Sequence, residues 1–381
     1  MQLARQILIV LALMLASLAP AQANPMLMID MDTLEVLHAE EAGQPWHPAS
    51  LTKMMTAYVT FEELAKGTIT LETPITLSQN AINQAPSKSG LPVGSAITLK
   101  DALYVLIVKS ANDVAVAIAE AVGGSEPQFV AKMNDVAARM GLTGTRFTNS
   151  HGLHDPAQVT TARDLAVLGL YIRQSFPQFM PMFGTGEVTL AGKRFESNND
   201  LLTKFAGTTG MKTGYICASG LNLVATVARN GRNLLAVVLG GSSARDRNER
   251  TAEMLLRGLS GSAAPKGQTV LTLANTVGAA PVDMRPLICG KEAKTYVAAQ
   301  EAAFPMGLEG QPSYLTDSVM APSYAAVDLG RIAVGVSLPR PRPAHAPVFT
   351  APTEAASLAG DLRPGLSGPD VPYPRPRPSH L

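Results

Sequence analysis

Tryptophan occurs once in these 381 residues, cysteine twice and histidine six times, and aromatic side chains make up only 5% of the chain. With so few soft ligands and no acidic cluster at ligand spacing, a metal centre is not expected. His151 and His154, the nearest approach to a ligand pair, read as loop histidines, and no cofactor is called for. The net charge of +1 hides no concentrated basic stripe, which excludes a nucleic-acid partner, because a phosphate backbone demands clustered Lys and Arg. Scarce aromatics beside 16 methionines point to an adaptable apolar core rather than a ligand box. There is no internal repeat.

The apolar run Ile7 to Leu18 is short for crossing a bilayer, which takes about 20 residues. It follows Arg5 and precedes Ala21-Gln22-Ala23, the three-part layout of a secretory signal peptide, so residues 1–23 are expected to be removed after Ala23. A retained membrane anchor is the competing reading. In an oxidising compartment the two cysteines, Cys217 and Cys289, can pair. They either form one bridge, clipping the segment after residue 260 onto the strand beyond Lys212, or remain two buried thiols.

Residues 24–260 read as one globular unit. An apolar, β-capable run from Met26 to Leu37 predicts an initial strand or hairpin. Ala49 to Leu64 predicts a helix that follows Pro48, ends near Gly67 and is apolar around most of its circumference, hence central and buried. Asp101 to Val108 and Val114 to Val122 predict two more helices joined at Ser110-Ala111-Asn112. Val224 to Arg229 and Asn233 to Leu239 flank Asn230-Gly231, a strong hairpin signal; Lys212 to Cys217 is the strand before them and Ala252 to Gly258 a closing helix. A helical layer beside an antiparallel sheet follows. Residues 261–338 lose periodicity and are expected to form a small, β-rich appendage. From 339 to 381, proline recurs in pairs such as Pro341-Arg342-Pro343, which favours an extended or disordered tail; it offers no amphipathic helix, so membrane contact through it is not supported.

Three strings carry the chemistry: Ser50-Leu51-Thr52-Lys53, Ser110-Ala111-Asn112 and Lys212-Thr213-Gly214. At ordinary residue frequencies the first two patterns each arise about once by chance in such a chain, and the third in about one chain in ten. Their ordered combination is therefore specific. Ser50 and Lys53 share one helix face, which sets an amine beside a hydroxyl, and the helix start favours negative charge developing on the serine oxygen. Burial and the charge of Lys212 both push the Lys53 pKa down, as a general base requires.

The triple resembles that of the D-alanyl-D-alanine carboxypeptidases, the low-molecular-mass penicillin-binding proteins of serine peptidase family S11. The resemblance covers residues 26 to 260. It implies an α/β (α+β) fold: a five-stranded antiparallel sheet flanked by helices, with an all-helical layer inserted, like the β-lactamases and transpeptidases. It implies Ser50 as nucleophile, Lys53 as base and Ser110 as proton relay. Asn112, Lys212, Thr213 and Gly214 would bind substrate, and the backbone N–H groups of Ser50 and Tyr215 would form the oxyanion hole. Arg247 would meet the substrate carboxylate, although Arg245 and Arg250 flank it and its spacing from Gly241 is one residue longer than expected. The implied substrate is a peptidoglycan stem peptide ending in D-Ala-D-Ala, with β-lactams as covalent inhibitors, in an exported, periplasmic protein. A D,D-endopeptidase acting on cross-linked stems shares the same site. A β-lactamase would add a water-activating glutamate, absent from Thr160 to Leu165. A non-catalytic wall-binding protein would not need all three strings intact.

Overall fold

A computed structural model describes residues 24–331; the signal-peptide expectation for 1–23 and the tail expectation for 339–381 fall outside the described residues. The strands are β1 (Met26–Asp30), β2 (Val36–Glu40), β3 (Pro74–Thr76), β4 (Ala96–Thr98), β5 (Glu187–Leu190), β6 (Lys193–Glu196), β7 (Thr208–Ile216), β8 (Gly220–Arg229), β9 (Arg232–Gly241) and β10 (Ser323–Ala325). Five of them form one antiparallel sheet in the order β2-β1-β9-β8-β7. Asn230 and Gly231, with φ of 55° and 73°, close β8 onto β9 and leave Arg229 opposite Arg232, as the Asn-Gly signal predicts.

Strand alternation explains why β1 and β9 are apolar at almost every position. Leu27, Ile29, Leu235, Val237 and Leu239 turn to one face and join a large helical core. Met28, Leu234, Ala236 and Val238 turn to the other and pack on Ala252, Met254 and Leu255 of the helix Ala244–Leu259. Both faces are covered, so successive side chains are apolar without alternating with polar ones. That closing helix begins eight residues before the predicted Ala252. Ser243 caps it by accepting from the Asp246 N–H at 3.1 Å, and its first two turns are charged, which hides them from an apolar-periodicity reading.

The central helix, Thr52–Ala65, is buried at every position from Thr52 to Phe61 and is entered through a tight turn at Ala49–Leu51. The helix Leu99–Tyr104 widens into a π turn over Val105–Lys109 and stops at Ser110, whose φ is 62°. Asn112–Gly123 then starts the next helix. The Ser110-Ala111-Asn112 string thus occupies a sharp junction.

The expectation of a β-rich appendage after residue 261 is not met. Among the described residues this segment holds two helices, Arg285–Ile288 and Ala293–Ala303, and the single short strand β10. The rest is irregular chain drawn across the catalytic unit as a strap. Lys266 and Val270 donate to the carbonyls of Val36 and Leu34 on the outer edge of β2, and Asn275 donates to Asp164 at 2.9 Å. Met284, 1% exposed, anchors beside the β7–β8 turn and donates its N–H to Ala218. Farther on, Tyr314 donates to Glu249, β10 pairs in parallel with β5, and Gly330 accepts from Ala96. These are single contacts, most of them between backbone groups of irregular chain, which is why no periodic pattern announces them. No helix among the described residues is long and apolar enough to cross a membrane.

Candidate active site

Lys53 is fully buried and its Nζ has three neighbours: Ser50 Oγ at 3.0 Å, Asn112 Oδ1 at 2.8 Å and the His151 carbonyl oxygen at 2.6 Å. Desolvation, then the charge of Lys212, hold its pKa well below the usual lysine value, against a smaller opposing pull from Asp113. A neutral amine has two N–H donors and one lone pair. With Asn112 and the His151 carbonyl as acceptors for both hydrogens, the lone pair is left facing the Ser50 hydroxyl. The arrangement orients the amine, and burial favours its neutral form.

The His151 carbonyl was invisible as a functional group in the sequence, because every residue carries one. Its position comes from a loop tied down by Glu126, which accepts from the Ser150 N–H at 3.0 Å and from its hydroxyl at 2.7 Å. Gly152 lets that loop press against the Ala49–Leu51 turn: its φ is 91°, and a β-carbon there would lie 1.9 Å from the Ala49 carbonyl oxygen. The His151 ring is neutral; burial, then Lys53, lower its pKa to about 3, and its Nδ1 accepts the Leu153 N–H. His154 lies edge-on to His47, with ring centroids 4.9 Å apart.

Ser110 is 7% exposed and its hydroxyl has no hydrogen-bond partner among the described residues. Asn112 is held from behind by its own N–H, which donates to the Ser87 carbonyl at 2.7 Å. Asp113 caps the same junction, accepting from the N–H and hydroxyl of Ser89.

The far wall is β7, the sheet's edge strand. Gly214 packs so closely that a β-carbon would meet the Ser50 nitrogen at 3.0 Å and the Pro48 oxygen at 2.9 Å. Ile216 turns both its N–H and its C=O towards Ser219 in the β7–β8 turn. By alternation, Tyr215 and Thr213 present theirs to the open margin. Lys212 is 3% exposed, donates to the Thr213 carbonyl at 2.9 Å, and has its pKa lowered to about 7 by burial, then by Arg247.

Arg245, Arg247 and Arg250 of the closing helix separate clearly. Arg245 donates to the carbonyls of Phe304 and Met306, and Arg250 pairs with Asp246 and lies over Phe304, so both serve the strap. Arg247 alone is buried near Lys212, donating to Asn198 and Asn248; burial, partly opposed by Asp200, lowers its pKa to about 10. Cys217 and Cys289 form a disulfide. In the stretch Thr160 to Leu165 the one carboxylate, Asp164, is wholly buried and engaged with Gly144, Thr145, Arg163 and Asn275.

A buried lysine facing a serine hydroxyl, across a cleft from an open sheet edge bearing a second lysine, defines an active-site-serine hydrolase of the transpeptidase and β-lactamase fold. A profile of the D-alanyl-D-alanine carboxypeptidases matches residues 14–243. D-alanyl-D-alanine carboxypeptidase DacD of Salmonella typhimurium is 32% identical over 293 residues, covering 74% of this chain and 74% of the relative. Penicillin binding protein 5 of Haemophilus influenzae superposes with a TM-score of 0.60 at 32% identity, over 63% of this chain and 71% of that one. Penicillin-binding protein D2 of Listeria monocytogenes, solved in its cefotaxime-bound form, gives 0.55 at 26% identity over 62% and 97%. This chain belongs to the D-alanyl-D-alanine carboxypeptidase family, and is a serine hydrolase of carboxypeptidase type.

Proposed function

We propose that this protein removes the terminal D-alanine from peptidoglycan stem peptides ending in D-Ala-D-Ala, through an acyl-enzyme on Ser50, in the cell envelope after export. The observation that carries the reading is the Lys53 amine, whose two acceptors and depressed pKa leave its lone pair 3.0 Å from Ser50 Oγ. The stem adds to the open margin of β7 by main-chain hydrogen bonds. Its terminal carboxylate meets Lys212, Thr213 and Arg247. Ser50 attacks the penultimate carbonyl as Lys53 takes its proton, and the tetrahedral oxyanion is held by the N–H groups of Ser50 and Tyr215. The unpartnered Ser110 hydroxyl passes that proton to the departing amine, releasing D-alanine. Water, deprotonated by Lys53, then resolves the ester and frees Ser50. β-Lactams acylate the same oxygen, a reading supported by the cefotaxime-bound relative.

The test is Ser50→Ala, assayed for D-alanine release from a stem pentapeptide and for labelling by a fluorescent penicillin. Both are expected to vanish; labelling that survives the substitution removes Ser50 from the role. Release from a cross-linked dimer in preference to the monomeric pentapeptide would turn the assignment to an endopeptidase.

A further inference from the structure

A carbonyl and the N–H that follows it share one rigid plane and, in a trans peptide, point in opposite directions. The His151 oxygen that touches Lys53 is therefore aimed by whatever holds the Gly152 N–H. That partner is Asn149: its Oδ1 accepts the Gly152 N–H at 2.7 Å and the His151 N–H at 3.3 Å. A side chain that folds back on the next backbone N–H groups is ordinary turn chemistry. What is particular here is where the two planes point on their other side. The first presents the Ser150 carbonyl to Thr56 on the central helix at 2.6 Å, and the second presents the His151 carbonyl to Lys53, three residues earlier on that helix, also at 2.6 Å.

The Asn149 carboxamide is itself held at both ends. Its Nδ2 donates to the Leu153 carbonyl at 3.1 Å, and the buried Gln158 donates its Nε2 to the same Oδ1 at 3.1 Å. Gln158 Oε1 in turn accepts the N–H groups of Thr148 and Asn149 at 3.0 and 3.1 Å. Its main-chain carbonyl accepts from His47 Nδ1 at 2.9 Å, just ahead of the Ala49–Leu51 turn. One glutamine thus ties the loop that presents the carbonyl to the segment that leads into Ser50. Among the described residues, every hydrogen bond that Asn149 makes stays within residues 149–158, so its reach to Lys53 is through the peptide plane and not by contact.

We propose that Asn149, backed by Gln158, is a positioning residue for Lys53: by holding the His151–Gly152 peptide it sets the carbonyl that takes one hydrogen of the amine, and so keeps the lone pair on Ser50. The inference rests on the reading of Lys53 as the base of the function proposed above. Without the anchor the peptide turns, and Lys53 keeps only Asn112 as a fixed acceptor. The amine then rotates among orientations that direct its lone pair away from Ser50, and acylation slows. A second consequence follows from the same loss. A carbonyl acceptor favours the ammonium over the neutral amine, so withdrawing it lowers the Lys53 pKa further. The charges that bear on Lys53, from Lys212 on β7 and Asp113 on the helix Asn112–Gly123, are untouched.

The experiment follows the rate constant of penicillin acylation against pH in the full chain, expressed per site finally labelled, so that misfolded molecules lower the amplitude and not the rate. Asn149→Ala is expected to slow the plateau by about tenfold to hundredfold and to move the rising limb to lower pH. Asn149→Asp keeps the acceptor and adds a negative charge; its plateau returns to near the wild-type rate while its limb moves to higher pH. Asn149→Ser covers the case in which the alanine variant does not fold. Its hydroxyl can still accept the His151 N–H and keep the turn, but is too short for Gly152, so a loss of about fivefold with a limb at lower pH is expected. A serine or alanine variant that acylates at the wild-type rate, or whose limb stays in place, overturns the proposal, as does an Asn149→Asp plateau as slow as that of Asn149→Ser. A wild type that takes no penicillin defeats instead the reading of Ser50 and Lys53 on which the proposal rests.

Discussion

A β-carbon on Gly152 would lie 1.9 Å from the carbonyl oxygen of Ala49. The two loops that meet there carry Ser50 and the His151 carbonyl that accepts from Lys53, so their contact sets the geometry of both. Gly152→Ala must push the loops apart, and a displacement of about 1 Å at reacting groups costs on the order of 10²-fold in rate. Penicillin acylation is expected to fall by at least that much. Gly141→Ala is the control: its φ is also positive, at 67°, but a β-carbon there meets nothing within 4 Å. It should cost only backbone strain, about 1 kcal/mol in thermal unfolding, and leave acylation in place.

Ser110→Ala separates catalysis from stability. The hydroxyl is buried without a partner, so deleting it breaks no hydrogen bond and is expected to change unfolding free energy by less than about 1 kcal/mol. A lost proton relay, by contrast, lowers D-alanine release by roughly 10²- to 10⁴-fold. Steady-state kinetics beside a melting curve checks both halves.

Lys212→Gln tests the electrostatic coupling. The Lys212 charge lowers the Lys53 pKa, second only to burial. Removing it lets the Lys53 pKa rise, so the neutral base appears only at higher pH. The rising limb of the penicillin acylation profile should therefore move to more alkaline pH, whatever happens to the maximal rate. A limb that stays in place or moves to lower pH contradicts the coupling.

Cys289→Ala opens a loop with a sequence separation of 72. Chain-entropy arithmetic for that length gives a loss of roughly 4 kcal/mol as an upper figure. Denaturant unfolding should show a lowered midpoint, reproduced by reducing the wild-type protein.

That the three strings meet was legible because they set particular side chains at fixed intervals: an amine one helical turn from a hydroxyl, and a glycine where a strand grazes the Ser50 turn. The sheet's hairpins and the central helix were legible for the same reason, their periods being written in apolar residues. What escaped lies in backbone groups and irregular chain. His151 drew attention for its ring, whereas its carbonyl is what touches Lys53. Counting chose Arg247 with Arg245 and Arg250 close on either side; the strap's carbonyls, which take up Arg245, and Asp246, which takes up Arg250, are what engage the other two elsewhere. The strap itself follows single contacts such as Asn275 with Asp164 and Tyr314 with Glu249, and these have no period to detect.

One margin of the five-stranded sheet is bonded at Leu34 and Val36 by residues 266–270, while the other, β7, pairs with no further strand among the described residues. A strand left unsatisfied ordinarily invites aggregation. Under the proposed function the hazard and the binding of substrate fall on the same strand, so a substitution that blunted this border against unwanted association would also close it to the substrate.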